Sequence, residues 1–149
     1  MSTYLLGVDI GTSSCKTAIF DPDGKVIAQG GSEYPVSYPE KGWAEQDPAD
    51  WWNGICRATR EMISESGIDP ADIAGIGIDG QSWSAIALDR DGNALCPTPI
   101  WTDTRSETIC RETAERLGED KIFGLCGNPV SPCYTWPKIL WYRKNRPEV

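Results

Sequence analysis

The first twenty residues constrain the fold most, because two apolar strand patterns are separated by only three residues. Short apolar runs are typical of buried strands, and both Tyr4–Ile10 and Ser14–Phe20 fit this pattern. Gly11-Thr12-Ser13 between them allows only a tight turn, so we predict that the two strands pair antiparallel. The turn signal Asp21–Gly24 and a third strand at Lys25–Gln29 extend the pair to a three-stranded meander.

A helix is predicted to follow the meander and an irregular polar segment, because its start has capping chemistry. Asp47 suits the N-cap and Pro48 the first helical position, while Gly67 suits the C-terminal stop. Ile73–Ile78 is predicted to be a fourth, central strand. Beyond it we predict hairpin strands at 84–88 and 94–96 and helices at about 104–117 and 136–144. This order predicts an incomplete α/β, ribonuclease-H-like domain with a mixed sheet over residues 1–149.

The composition excludes several classes of function. The 149 residues carry a net charge of −8, and an acidic surface repels phosphate backbones, so we expect no nucleic-acid partner. There is no histidine, which excludes a histidine-based triad or a histidine-ligated metal. No stretch approaches the ~20 apolar residues of a membrane span, and the start has no basic signal region, so we expect a cytoplasmic protein without a membrane partner. The six scattered cysteines are expected to be reduced thiols.

The turn between the first two strands carries residues suited to binding phosphate. Gly11 lets the backbone approach a ligand closely, and Thr12 and Ser13 add hydroxyl donors beside exposed N–H groups. Lys16 supplies a positive charge. We expect Asp9 to be buried at the strand end, where its carboxylate would hold Mg²⁺ through water. A polar hairpin turn with a solvated lysine is the alternative, but it does not require this buried carboxylate.

Two other phosphate-binding motifs are excluded. The segment Gly75–Gly80 matches G-x-G-x-x-G by letter, but its glycines lie inside the strand pattern and no helix opens after them. No Walker A sequence occurs in the chain. Phosphate binding must therefore use the turn between the first two strands.

Several segments, in this order along the chain, resemble one family of enzymes. Gly7–Lys16 is similar to the first phosphate motif of the actin, Hsp70 and sugar kinase superfamily. Further segments resemble the FGGY carbohydrate kinases, xylulokinase-like members most: Gly42–Pro48 with Trp51 and Trp52, Gly80–Trp83, Ile100–Arg105, and Gly127–Ser131 leading to Lys138. The resemblance covers nearly the whole chain and implies the N-terminal part of a kinase with the actin/hexokinase/Hsp70 type of fold.

The resemblance also implies roles for particular residues. Asp9 would be the carboxylate on the Mg²⁺ side, and the residues facing the transferred phosphate would be Gly11, Thr12, Ser13 and Lys16. The residues lining the sugar pocket would be Gln81, Ser82, Trp83, Trp101 and Asp103. The family often has Gln-Met-His, or Gln-Arg-Glu in glycerol kinases, so Ser82 and Trp83 depart from it and leave the substrate open. The alternative places both tryptophans in the core and makes Asp103 the N-cap of the next helix.

The activity implied by the resemblance is ATP-dependent phosphorylation of a sugar or polyol, with a ketopentose such as xylulose preferred and with ATP and Mg²⁺ as cofactors. In FGGY kinases the base is an aspartate in a later segment and adenosine binds mostly to a second domain, so we expect this chain alone to be inactive. A non-catalytic sugar- or nucleotide-binding relative remains an alternative, as does an Hsp70- or actin-like ATPase, although the pocket segments argue against the ATPase. A homodimer is left open.

Overall fold

A four-stranded mixed sheet dominates the first half of the chain in the computed structural model, which describes residues 3–149. In chain order the elements are β1 (Tyr4–Ile10), β2 (Ser14–Phe20), β3 (Val26–Glu33), β4 (Glu45–Gln46), α1 (Pro48–Ser66), β5 (Ile73–Gly80), β6 (Thr98–Pro99), α2 (Glu107–Leu117), α3 (Glu119–Cys126) and α4 (Thr135–Asn145). The sheet order is β3-β2-β1-β5, with β5 parallel to β1 and the other pairs antiparallel. The predicted α/β class, mixed sheet and antiparallel meander are confirmed.

Two strand predictions in this sheet need correction. Strand β3 continues to Glu33 instead of ending at Gln29, because it pairs with the whole length of β2. Strand β5 lies at the edge of the sheet that residues 3–149 form, so the prediction that it is central is wrong. The glycines of Gly75–Gly80 lie within this strand, which agrees with the rejection of a dinucleotide-binding turn there.

Helix α1 has the bounds that its capping residues predict. It begins at Pro48 and ends at Ser66, and the following Gly67 has a φ of 69°, which a side chain would disfavour. Trp51 is buried on the helix and Trp52 is exposed. The prediction that at least one of these tryptophans packs in the core is therefore confirmed.

The core of the sheet lies beneath α1. Ile19 on β2 is completely buried there, and the buried residues that pack with it are Leu6, Val8 and Met62. Gly30 on β3 lets the helix approach closely, because a Cβ there would lie 3.1 Å from the carbonyl oxygen of Ala58.

The chain divides into two compact units. One consists of the chain up to Val36 together with Pro48–Gln81, and the other consists of Ser37–Asp47 and Ser82–Val149. The second unit holds the short antiparallel pair of β4 and β6 and the helices α2, α3 and α4. Within residues 3–149, none of the helices has the length and apolar character that crossing a bilayer requires.

The predicted hairpin in the second unit forms only its turn. Asp89 accepts backbone hydrogen bonds from Asp91 and Asn93, and a single bridge joins Leu88 and Ala94. The strands predicted at 84–88 and 94–96 do not form. The carbonyl groups of residues 83–85 instead accept hydrogen bonds from side chains of α4, so they are satisfied without a strand partner.

The helices of the second unit also differ from the prediction. Helix α2 begins at Glu107, three residues later than predicted, because residues 104–107 form a turn in which the Glu107 N–H donates to the Thr104 carbonyl oxygen. Gly118 ends α2 as predicted, but α3 begins directly after it. Helix α3 has eight residues, too few for a periodic pattern to reveal it, and it was not predicted. Helix α4 agrees with its predicted range to one residue at each end.

The buried position of Ile19 gives a test of the core. We expect Ile19→Ala to lower the free energy of unfolding by about 2–5 kcal/mol, because it leaves a cavity under α1. Ile27→Ala is the matched control, since Ile27 is 42% exposed on β3, and it should cost less than about 1 kcal/mol. Denaturant unfolding measures both values, and equal losses would contradict the described core.

Candidate functional site

The turn between β1 and β2 is closed by a backbone hydrogen bond and has room only for glycine. The N–H of Gly11 donates to the carbonyl oxygen of Ser14 at 3.1 Å. A Cβ at Gly11 would lie 2.8 Å from the Lys16 Nζ and 2.9 Å from that same carbonyl oxygen. Thr12 and Ser13 complete the turn, and Ser13 is exposed. The turn thus exposes Ser13 to solvent, and the Lys16 ammonium group lies beside the Gly11 backbone.

Asp9 and Lys16 form an ion pair beside this turn. They are opposite each other in the β1–β2 register, and the Lys16 Nζ lies 3.0 Å from the Asp9 Oδ2. The side chain of Asp9 is 50% exposed and that of Lys16 is 62% exposed. The expectation that Asp9 is buried is therefore wrong: its carboxylate is open to solvent and a lysine balances its charge. Both groups remain accessible to a ligand.

An open cavity of about 890 Å³ lies on this face of the sheet and contains a second carboxylate. Asp79 on β5 lines it together with Asp9 and Lys16, and Asp79 is opposite Asp9 in the parallel register. Sequence analysis did not single out Asp79. Asp79 is the next-to-last residue of a strand parallel to β1, and this position could have indicated a site residue. That indication requires the pairing of β5 with β1, which the sequence alone does not give.

Tyr34 holds the turn from the side of β3 and was also missed. Its hydroxyl donates to the carbonyl oxygen of Gly11 at 2.6 Å, and its N–H donates to that of Ser13 at 3.2 Å. Tyr34 is buried, and this burial raises the pKa of Tyr34 to about 12. Because β3 was predicted to end at Gln29, no sequence pattern placed Tyr34 beside the turn.

Gln81 lies at the same end of the sheet as the turn. It follows β5 directly, and its N–H donates to the carbonyl oxygen of Ile10 at 2.8 Å. The first unit therefore brings together six predicted site residues: Asp9, Gly11, Thr12, Ser13, Lys16 and Gln81. The other four, Ser82, Trp83, Trp101 and Asp103, belong to the second unit.

Trp83 has an unusual backbone and a half-exposed side chain. Its φ of 66° is left-handed, and among the described residues no other residue except glycine has a positive φ. The indole is 47% exposed and meets the ring of Tyr134 edge to face, with centroids 5.2 Å apart. Trp101 is 43% exposed, whereas Ile100 beside it is fully buried. The interpretation of these two tryptophans as core residues is therefore wrong.

Lys138 on α4 is completely buried and contacts the Trp83 backbone. Its Nζ donates to the carbonyl oxygens of Trp83 at 3.0 Å and Tyr134 at 3.5 Å, and also to that of Cys133. Burial lowers the pKa of Lys138 to about 8, because removal from water disfavours the charged form. The sequence marked Lys138 only as the end of a family segment, and nothing in it indicated burial.

Asp103 is a structural residue in this geometry. Its side chain is fully buried, and its Oδ2 accepts from the Ala44 N–H at 2.7 Å and from the Arg105 Nη2 at 2.8 Å. Its Oδ1 accepts from the Arg105 N–H and Nε. This position does not support the prediction that Asp103 accepts hydrogen bonds from a sugar. The N-cap interpretation is also wrong, because Ser106 precedes the first residue of α2.

Arg105 is held on three sides. Besides Asp103 it pairs with Glu45, whose Oε1 lies 2.7 Å from Nη2, and its guanidinium stacks 3.8 Å from the ring centroid of Trp43. Its side chain is only 3% exposed. These contacts join β4 to the segment that carries Trp101 and thereby fix the position of that segment within the second unit.

The Tyr34 hydrogen bond gives a test of how the turn is held. We expect Tyr34→Phe to lower the free energy of unfolding by about 1–2 kcal/mol, because the Gly11 carbonyl loses its buried donor. Tyr38→Phe is the control, since Tyr38 is 71% exposed, and it should stay within about 0.5 kcal/mol of the parent. Chemical denaturation followed by circular dichroism measures both values. An unchanged unfolding free energy in Tyr34→Phe would show that this hydrogen bond does not stabilise the turn.

The burial of Asp103 gives a second test. Asp103→Asn removes one of the two carboxylates that balance the charge of the buried Arg105, so we expect a loss of about 3–5 kcal/mol in unfolding free energy. Glu112→Gln removes one partner of an exposed pair with Lys144 and should cost at most about 1 kcal/mol. Thermal and denaturant unfolding distinguish the two. A fully stable Asp103→Asn protein would show that the carboxylate is not structural.

Comparison with known proteins shows a consistent relationship. The family described as "FGGY family of carbohydrate kinases, N-terminal domain" matches residues 4–149. Xylulose kinase of Bacillus subtilis is 35% identical over 146 residues, and glycerol kinase of Roseiflexus is 31% identical over 150 residues. These matches cover 98% and 100% of this chain and 29% and 30% of the relatives.

A solved structure agrees with the sequence matches. The ligand-bound xylulose kinase from Lactobacillus acidophilus has a TM-score of 0.86 and 30% identity to this chain, over 99% of the chain and 29% of its own length. The structural neighbours confirm the predicted actin/hexokinase type of fold. The chain thus spans less than a third of the length of these relatives. It belongs to the FGGY family of carbohydrate kinases and corresponds to its N-terminal domain.

Proposed function

We propose that the protein carrying this chain transfers the γ-phosphoryl group of ATP to a hydroxyl group of a sugar or polyol. A ketopentose such as xylulose is the substrate we would test first. The observation that carries the proposal is the β1–β2 turn, where a glycine with no room for a Cβ adjoins two hydroxyl residues and an accessible Asp9–Lys16 pair. Relatives named xylulose kinase and glycerol kinase support this assignment.

The residues of the turn fit a phosphate group and a magnesium ion. The hydroxyls of Thr12 and Ser13 would donate to phosphate oxygens, and the lack of a side chain at Gly11 would let the phosphate approach the turn closely. Lys16 would exchange its contact with Asp9 for one with phosphate, which releases the carboxylate toward Mg²⁺. When bound, Mg²⁺ would neutralise charge on the phosphates and so favour in-line transfer. Tyr34 would keep the Gly11 backbone in place during this exchange.

The side chains proposed to bind the acceptor lie mainly in the second unit. The half-exposed indoles of Trp83 and Trp101 offer flat apolar faces to the C–H groups of a sugar, and each carries one N–H donor. Ser82 is exposed and would add a hydroxyl. Asp103 would act at a distance, through Arg105, by holding the segment of Trp101.

This chain would supply only part of the catalytic machinery. It spans about 29–30% of the length of its relatives. Of the two aspartates that the sequence assigned to the site, Asp9 is on the proposed Mg²⁺ side and Asp103 is held by Arg105, so neither is available as a base. We propose that a carboxylate base for the attacking hydroxyl comes from the remaining part of the protein, where such a base typically adds ~10²–10⁴-fold. The proposed activity is therefore that of the full-length protein.

The first experiment measures ADP release by the full-length protein with Mg-ATP and a panel of ketopentoses, pentitols, hexoses and glycerol. We expect release that depends on one class of acceptor. Asp9→Asn should lower it by at least about 100-fold, because the charge on the Mg²⁺ side is lost. Asp23→Asn is the control: Asp23 is an exposed residue of the neighbouring turn, and its change should leave the rate unaltered.

Each outcome of this experiment has a defined meaning. Acceptor-dependent release that survives Asp9→Asn would overturn the assignment of the phosphate turn. No release with any acceptor, from a folded full-length protein, would favour a non-catalytic relative that binds a sugar or nucleotide.

A further inference from the structure

We propose that Lys138 is a positioning residue for the acceptor sugar, because it holds the Trp83 carbonyl and thereby sets the direction in which the Trp83 indole points. This inference rests on the proposed kinase function for the role of Trp83. The link between Lys138 and Trp83 itself rests on the geometry of the second unit alone.

The backbone at Trp83 needs an external contact to stay in its conformation. A left-handed φ of 66° is unfavourable for a residue with a large side chain, and such a conformation persists only when surrounding contacts maintain it. The Lys138 Nζ donates to the Trp83 carbonyl oxygen at 3.0 Å. A peptide group turned the other way would move that oxygen out of reach. The hydrogen bond thus fixes the peptide group that follows Trp83, and so contributes to holding the conformation in which the indole is half-exposed.

Helix α4 provides this contact as part of a regular arrangement. Thr135, Lys138 and Tyr142 lie at spacings of three and four residues, on one face of the helix. Their polar atoms bind three successive carbonyl oxygens, those of Ser84 at 3.5 Å, Trp83 at 3.0 Å and Ala85 at 3.4 Å. One helix face therefore fixes residues 83–85 without a strand partner. Lys138 is the charged member, and it holds the residue with the strained backbone.

A lysine is a costly choice for this position, which indicates that its donors are needed. The side chain is fully buried, and its ammonium group donates hydrogen bonds to the carbonyl oxygens of Trp83, Cys133 and Tyr134. An apolar residue would avoid the desolvation of an ammonium group. Three convergent donors can join the segment before α4 to the Trp83 turn, and an apolar side chain has none.

The first test compares two lysine variants of the same helix in the full-length protein. Lys138→Met should raise the KM for the acceptor sugar by about 10- to 100-fold, as expected for loss of a charge-assisted hydrogen bond that positions Trp83, and leave the KM for ATP within about twofold. Lys144→Met is the control, since Lys144 is exposed and pairs with Glu112 on the surface. A lowered kcat with an unchanged sugar KM would indicate a structural role only and would overturn the proposal.

The second test detects the link between the two residues without any reaction. In protein labelled with 5-fluorotryptophan, the ¹⁹F resonance of Trp83 is assigned by its loss in Trp83→Phe. Lys138→Met should shift this resonance, and the resonance of the exposed Trp52 should stay in place. A Trp83 resonance at the same position in the parent protein and in Lys138→Met would show that Lys138 does not set the orientation of the indole.

If Lys138→Met does not fold, a pH titration of the protein that retains Lys138 tests the proposal instead. The Trp83 resonance should move with a midpoint near pH 8, where the buried ammonium loses its proton. The charged or titratable groups around Lys138 are Asp103, Arg105, Cys110 and Cys133. Burial raises the pKa of Cys110 to about 11, out of this range. The titration is done with Cys133→Ser, which removes the thiol beside Lys138 and keeps the residue 133 carbonyl that accepts from Lys138.

The outcomes separate this inference from the proposed function. A wild-type protein without acceptor-dependent ADP release, but with a Trp83 resonance that responds to Lys138, would refute the kinase and keep the Lys138–Trp83 link. An active protein in which neither the sugar KM nor the resonance responds to Lys138→Met would refute the inference and keep the kinase.

Discussion

The antiparallel pairing of β1 and β2 across a three-residue turn is the constraint on which the first unit depends. It places Asp9 opposite Lys16, and it leaves too little space at position 11 for any residue larger than glycine. The parallel addition of β5 then brings Asp79 and Gln81 to the same end of the sheet. Buried apolar contacts beneath α1 hold this arrangement, so the exposed polar turn rests on a core of ordinary composition.

Two buried cations hold short segments of the second unit in place. Arg105 is surrounded by two carboxylates and a tryptophan face, and Lys138 by backbone carbonyl oxygens. Each fixes a segment that carries one of the half-exposed tryptophans, Trp101 in the first case and Trp83 in the second. Directional contacts suit this purpose, because apolar packing alone would leave short irregular segments free to shift. The expected acceptor side chains are thereby placed by residues that never face solvent.

Local patterns predicted the parts of the fold that local chemistry determines. The bounds of β1, β2 and α1 follow from apolar runs, a three-residue turn and capping residues, all of which are contiguous in sequence. The candidate phosphate turn was found for the same reason. Strand β3 was cut short because its last residues are polar and glycine-rich, and only pairing with β2 makes them a strand. The hairpin at 84–96 was overpredicted because the partner of residues 83–85 is a helix some fifty residues later.

The candidate site shows the same division between local and distant information. Gly11 and Lys16 could be read from one motif, whereas Tyr34 and Lys138 act through contacts that span 23 and 55 residues. Asp103 was assigned to a sugar because its segment resembles the FGGY kinases, but its burial depends on Arg105 and on Ala44 far upstream. Burial of a charged residue is set by tertiary packing, and one sequence does not reveal it.

The burial of Lys138 also couples folding to proton release. In the unfolded chain its amine would hold a proton up to about pH 10.5, whereas in the folded chain it releases that proton near pH 8. Below pH 8 both states are charged at this position, and the folded state bears the full cost of a desolvated ammonium. Between about pH 8 and 10.5 the unfolded chain binds more protons than the folded one, so the contribution of this residue to the unfolding free energy rises with pH. A pH above about 8 would therefore remove the cost of burying a charged ammonium group in the second unit, a cost that the folded protein bears at neutral pH.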